Sequence, residues 1–297
     1  MKLTIIGFGE AGQAIAEGLR AENVAVDVSC FDIKSSNPDA AANLATAAKR
    51  LGVQNAPTLD AALLRAEVVF STVTAGSALD VAGAVAAIDR AKRPTLRAFF
   101  DMNSVAPSTK QAEAALLEAA GIAYVDTAVM APIQTRLHRT PMLLAGPGAS
   151  QWSGTLAAWG MDVRVVGAEV GRASSIKMLR SVMIKGLEAL TAEMGLAAAK
   201  AGVAEEVIAS LNASFPGTDW EQKTSYNLER MATHGVRRAE EMEEVVKTLL
   251  DLGINPELSQ GTVRRQRRFG ESGLVLSGAE EPLKARAERV FNQLNEV

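Results

Sequence analysis

Leu3-Thr4-Ile5-Ile6-Gly7-Phe8-Gly9-Glu10-Ala11-Gly12 stands at the head of the chain, with Gln13–Arg20 directly behind it. A short β-branched run, three glycines at the first, third and sixth positions of a turn, and then apolar residues at helical steps spell strand, tight turn and helix. Gly7 permits the turn, Gly9 lets a pyrophosphate approach the backbone, and Gly12 lets the helix pack closely on the strand. The helix start, with its uncommitted N–H groups and positive dipole end, suits an anion. Asp32 lies 20 residues beyond Gly12, at the end of the next apolar run. A carboxylate there accepts hydrogen bonds from an adenosine ribose and repels a 2′-phosphate. The segment therefore reads as a dinucleotide site built from Gly7, Phe8, Gly9, Glu10, Ala11, Gly12 and Asp32. NAD is the favoured cofactor, and Lys34, Ser35 and Ser36 leave NADP open.

Outward from this turn, apolar runs recur at Val24–Phe31, Val68–Val73, Ala98–Asp101, Ile122–Val125, Met142–Ala145 and Val163–Val166. Helical stretches such as Gln111–Ala120 separate most of them. Strands alternating with helices imply right-handed βαβ units and an α/β Rossmann domain with a largely parallel, doubly wound sheet. After Gly171 the texture changes. Arg172 to about Ala201 holds no proline and no turn cluster, which is about 45 Å of continuous helix. Ala204–Ser214, Trp220–Met231, Val236–Leu252, Pro256–Phe269 and Pro282–Leu294 read as further helices. The expected organisation is a nucleotide-binding domain over 1–167, an interdomain helix over 168–201, and an all-α substrate and dimerisation domain over 202–297.

Composition narrows the partners. The 297 residues carry a net charge of -3 and 22% charged residues, a globular composition without the basic excess of a nucleic-acid binder. Arg264, Arg265, Arg267 and Arg268 spread around a helix and read as a solvated or interface patch. One cysteine, Cys30, and two histidines, His138 and His234, supply too few ligands for a zinc or non-haem iron site, so no metal is expected. Cys30 reads as buried and inert. No run approaches the roughly 20 apolar residues of a membrane span, and the opening run is too short for a secretory signal. A cytoplasmic protein with a small-molecule substrate is the expectation.

On the long helix, Ser174, Lys177, Ser181, Lys185 and Glu188 fall along one polar stripe enclosed by apolar residues. Such a stripe is either a solvated face or the floor of a cleft. A hydride-transfer enzyme needs a group to take the alcohol proton, and a desolvated lysine can serve.

With these elements in place, the chain resembles the β-hydroxyacid dehydrogenase superfamily, which includes 3-hydroxyisobutyrate and 6-phosphogluconate dehydrogenases. The match looks closest to a branch with its own C-terminal helical domain. Gly7-x-Gly9-x-x-Gly12 matches the cofactor motif. Asp101-Met102-Asn103-Ser104 with Pro107 resembles the family's D-x-S-T-x-x-P loop beside the nicotinamide ribose. Asp126-Thr127-Ala128-Val129 resembles the start of D-x-P-V-S-G-G, and Gly171 with Lys177 resembles the G-x-x-x-x-x-K segment that supplies a catalytic lysine. The resemblance implies that Val73, Thr74 and Asn103 line the cofactor, that Asn103 and Ser104 also face substrate, that Lys177 is the general acid/base, and that the helical domain builds a homodimer.

The departures fall on the substrate side. Met130-Ala131-Pro132 replaces S-G-G; Met130 has no hydrogen to donate and Pro132 lacks a backbone N–H. Arg180 and Ser181 stand where the family has paired asparagines. Arg136, His138 and Arg139 are candidates for a different anion site or an exposed loop, and Arg237 and Arg238 for substrate contacts or a paired helical face. A C=N reductase of the imine reductase kind and a non-catalytic dinucleotide sensor are the competing functions.

Overall fold

The computed structural model describes residues 1–276 and 281–294. Contacts divide the chain into two compact units, Met1–Met178 and Leu179–Val297. The boundary lies inside the long helix.

In the first unit, β1 (Lys2–Ile6), β2 (Asp27–Phe31), β3 (Gln54–Asn55), β4 (Val68–Ser71), β5 (Ala98–Asp101), β6 (Ala123–Val129), β7 (Met142–Ala145) and β8 (Val163–Gly167) form one sheet in the order β3-β2-β1-β4-β5-β6-β7-β8. Pairing is parallel except between β6 and β7, which run antiparallel. Short β3 has no apolar run and was invisible in the sequence. Helices α1 (Glu10–Ala21), α2 (Pro38–Leu51), α3 (Leu59–Leu63), α4 (Ala78–Ala87), α5 (Pro107–Ala119) and α6 (Ala149–Ala158) fill the crossovers.

Alternating side chains divide between the faces. Leu3, Ile5, Phe70 and Phe100 pack with Ile15, Leu19 and Trp152 on one side. Ile6, Val69 and Phe99 pack with Val85, Leu117 and Tyr124 on the other. Both faces are covered, which is why these strands read as continuous hydrophobic runs. The chain reverses direction across the sheet between β1 and β4, and the carboxyl ends of such strands are where α/β folds open a crevice for ligands.

The long helix α7 (Arg172–Ala201) has the extent expected of it. The second unit comprises its later part with α8 (Ala204–Ser214), α9 (Trp220–Asp251), α10 (Glu257–Glu271) and α11 (Leu283–Leu294). The two helices expected at Trp220–Met231 and Val236–Leu252 are one. Gly235 is no terminator here: a Cβ on it would collide with the Gln266 carbonyl oxygen and with Gly270, and one on Gly270 would collide with the Val236 nitrogen. These glycines serve a close crossing of α9 and α10. Among the described residues no helix is long and apolar enough to cross a membrane.

Candidate active site

The site begins at the carboxyl ends of β1, β2 and β4. Gly7 has φ of +86°, and a Cβ on it would lie 2.7 Å from the Thr72 carbonyl oxygen. Its N–H donates to Phe31 O at 2.9 Å, and Thr72 Oγ1 donates to Gly7 O at 2.6 Å. A Cβ on Gly12 would fall 2.6 Å from Gly7 O, whereas one on Gly9 would meet nothing within 4 Å. Gly7 and Gly12 therefore hold the turn against the sheet, and the Gly9 side stays open. Gly9 caps α1 without a side chain to accept the first-turn N–H groups, the arrangement that receives a phosphate.

Asp32 closes this cradle. Its Oδ2 accepts the Phe8 N–H at 2.8 Å and its Oδ1 the Lys34 N–H at 2.9 Å. The Phe8 ring is fully buried, so its part is to anchor the turn. Glu10 is exposed at the start of α1 and Ala11 half-buried behind it. Val73 is half-buried against Gly7, and Thr74 is exposed with its hydroxyl 3.1 Å from Ser77 Oγ.

A bonded path leads on from there. Beside Thr72, Ser71 Oγ accepts from Asn103 Nδ2 at 3.0 Å. Asn103 is 5% exposed, and its Oδ1 is buried with no hydrogen-bond partner. The next residue, Ser104, accepts a hydrogen bond from the Lys177 ammonium at 2.6 Å. Three of the sequence-derived candidates, Asn103, Ser104 and Lys177, thus come together at the end of β5.

Beneath them lies a buried polar cluster that the sequence reading did not single out. Lys110, wholly buried on α5, donates to Asp101 O at 2.7 Å, sits 2.7 Å from Asp101 Oδ2, and is 3.6 Å from Asp126 Oδ1. Asp126 Oδ2 accepts the N–H groups of Gly171 and Ser174, each at 3.1 Å, and so caps α7. Tyr124 OH lies 2.8 Å from Glu113 Oε2 and 3.1 Å from Asp101 Oδ2. Burial, then Asp101, push the Glu113 carboxyl up to about 9, so it is protonated at neutral pH. Burial alone would depress Lys110, but Asp101, Asp126 and Glu113 outweigh it and hold the ammonium above its ordinary value. The signal was present in the sequence: Lys110 and Glu113 fall at the spacing of the inward face of α5, with Ala114 and Leu117.

On the substrate side, Met130 is half-buried against Ala128, Leu143, Ala145 and Ala173. The following loop folds against α1: His138 is 1% exposed, and Arg139 pairs with Glu22. Burial holds the His138 imidazole below its ordinary value. Arg136 lines an open groove of about 600 Å³ with Thr135, Leu137, Arg139, Gly160 and Asp162.

In the helical unit the stripe on α7 is buried at Ser181, Lys185 and Glu188. Lys185 pairs with Glu241 at 2.8 Å. Arg238 grips both oxygens of Glu188, which also accepts from Gln266 at 2.7 Å. That pairing engages Nε and one terminal nitrogen of Arg238. Arg237 is exposed, 3.8 Å from Glu241. In the arginine patch, Arg265 pairs with Glu193 and Arg267 with Glu243. Cys30 is buried, and burial pushes its thiol up to about 12.

Residues 2–94 match the family model described as NADP oxidoreductase coenzyme F420-dependent, and residues 198–269 match a domain of unknown function, DUF1932. A conserved hypothetical protein from Sinorhizobium meliloti 1021 is 35% identical, with 97% of this chain and 96% of that one covered and a TM-score of 0.74. A conserved protein of unknown function, described as structurally similar to 3-hydroxyacid dehydrogenases, is 28% identical over 91% and 97% of the two chains, with a TM-score of 0.70. The 3-hydroxyisobutyrate dehydrogenase of Mycobacterium tuberculosis, solved with L-serine, shares the fold at 14% identity and a TM-score of 0.73, over 97% and 98% of the chains.

Proposed function

We infer the function from one premise: the chain belongs to the β-hydroxyacid dehydrogenase superfamily, with the C-terminal helical domain of its own branch. On it rests the proposal of an NAD(P)-dependent oxidoreductase that moves a hydride between nicotinamide and a small polar alcohol or its carbonyl. The observation that carries this reading is the Lys177–Ser104 pair, 2.6 Å apart, on a bonded path that starts at the glycine turn.

The residues fit the cofactor. The open side of Gly9 and the uncapped start of α1 suit a pyrophosphate, and Asp32 suits an unphosphorylated ribose, which favours NAD over NADP. The orphaned Asn103 Oδ1 is an acceptor of the kind a ribose hydroxyl satisfies. When bound, the nicotinamide supplies the hydride acceptor or donor. Lys177, as a neutral amine, takes the hydroxyl proton during oxidation, and as an ammonium returns it during reduction. Ser104 Oγ holds the lysine Nζ in place by accepting from it. Met130 offers an apolar wall where a carboxylate-binding loop would offer donors, so the substrate is not a simple β-hydroxycarboxylate. Ser181 and Arg237 are the remaining candidates for its polar groups.

The test is Lys177→Ala, assayed for NADH binding by fluorescence and for turnover against a panel of small alcohols and carbonyls. Binding that persists while turnover is lost supports the assignment; full turnover sinks it. For assembly we propose a homodimer through the helical unit, whose Met183 and Leu190 are 62% and 63% exposed. Sedimentation at a monomeric mass would refute it.

A further inference from the structure

We propose that Lys110 is a positioning residue whose buried ammonium ties the turn presenting Ser104 to the helix start presenting Lys177. The inference rests on the role given to Lys177 above and adds a residue that touches neither substrate nor cofactor.

The contacts close into a ring, with the Lys110–Asp126 link an ion pair at 3.6 Å rather than a hydrogen bond. From Lys110 one arm runs to Asp101, whose Oδ1 accepts the Asn103 N–H at 3.0 Å and also the Asn103 side-chain amide. Asn103 leads covalently to Ser104, which receives the Lys177 ammonium. The other arm runs to Asp126, which accepts from the Gly171 and Ser174 N–H groups and, at 3.4 Å, from Ser174 Oγ. Ser174 and Lys177 stand one helical turn apart. Two strands, one loop and one helix terminus thus meet at a single ammonium.

Space filling does not explain that charge. A fully buried ion pair contributes no more to stability than apolar side chains of the same volume, and often less. An apolar residue at 110 would fill the space but leave two carboxylates, on neighbouring strands, without their common partner. The register pairs Asp101 with Asp126 across β5 and β6, so without Lys110 they would repel or share a proton. Glu113 and Tyr124, the other titratable groups beside the ammonium, pass a hydrogen bond to Asp101 Oδ2, the oxygen that Lys110 also contacts, and leave Oδ1 to Asn103. The cluster sets the angle between Asp101 and Asp126, and through them the separation of Ser104 and Lys177.

The experiment reads the position of Lys177 without needing a substrate. Folded protein is labelled with a trace of acetic anhydride at neutral pH, and acetylation of Lys177 is compared with that of exposed Lys49 by peptide mass spectrometry. In the native chain Lys177 lags, because it is half-buried and its Nζ is held on Ser104 Oγ at 2.6 Å; in Lys110→Met that hold loosens, and loss of about 1 kcal/mol of hydrogen bond should raise the ratio about fivefold. NADH binding should persist, since the glycine turn and Asp32 stand outside the ring, with any loss confined to the contact proposed for Asn103. An unchanged labelling ratio in folded Lys110→Met overturns the proposal. Should that variant fail to fold, Asp126→Asn keeps the volume and opens the same ring, and it must give the same rise. Loss of NADH binding by native protein, or full turnover by Lys177→Ala, would count against the function proposed above and leave the labelling result to decide the role of Lys110.

Discussion

Phe8 donates its backbone N–H to Asp32 Oδ2 across 2.8 Å, so the residue proposed to read the ribose also holds the glycine turn in shape. Asp32→Ala therefore removes two things at once. We expect NADH affinity to fall about tenfold, or about 1.4 kcal/mol, while NADPH affinity falls less because the repulsion of a 2′-phosphate is gone. Parallel fluorescence titrations check this. Equal losses for both cofactors would mean that the carboxylate acts only on the turn.

Gly7→Ala tests the turn itself. The new methyl group would sit 2.7 Å from the Thr72 carbonyl oxygen at φ of +86°. Strain of this kind costs about 1–3 kcal/mol before the clash is counted, so the variant should melt several degrees lower and bind no NADH. Near-native melting with intact binding would show that β4 can retreat from β1.

Ser104→Ala removes the hydroxyl to which Lys177 donates at 2.6 Å and leaves the rest of the ring in place. Turnover should drop by about tenfold to a hundredfold, short of the roughly 100- to 10,000-fold effect expected for losing the acid/base itself. A variant with native turnover would leave Ser104 without a part in catalysis.

Glu113 predicts a pH effect on stability. Its carboxyl stands at about 9 in the folded chain against an ordinary value of 4.5. Between those values the folded state holds a proton that the unfolded state has released, so this group's contribution is complete below 4.5 and fades as pH rises toward 9. The slope is at most about 1.4 kcal/mol per pH unit for one proton. Glu113→Gln, neutral throughout, should become the more stable protein as pH rises through this window. Thermal melts at several pH values decide it, and parallel curves for the two proteins would refute the neutral carboxyl.

Much of this was readable from one-dimensional patterns, and the exceptions have a common cause. The glycine turn, Asp32 and the 30-residue helix α7 are specified by local rules: backbone sterics, strand-end position and an absence of helix breakers. Asp101 and Asp126 were visible only as letters in motifs. Their pairing across β5 and β6, and their shared partner Lys110, depend on register and on which face of α5 turns inward. The polar stripe on α7 left two readings open, and burial of Ser174, Ser181, Lys185 and Glu188 rejects the solvated one. Gly235 misled for the opposite reason. A glycine in a helical pattern reads as a stop, and only the neighbouring helix reveals that it is a crossing point.

Met130, Ala131 and Pro132 contribute nothing to the ring that joins Lys110 to Lys177; the Met130 N–H answers to Pro141 O at 2.9 Å. The floor proposed to aim Lys177 and the wall proposed to sort substrates both spring from β6, and they meet where Met130 packs against Ala173 in the first turn of α7. Rewriting 131 and 132 to glycine and serine leaves that packing in place, which makes this short stretch the natural place to retune selectivity by design.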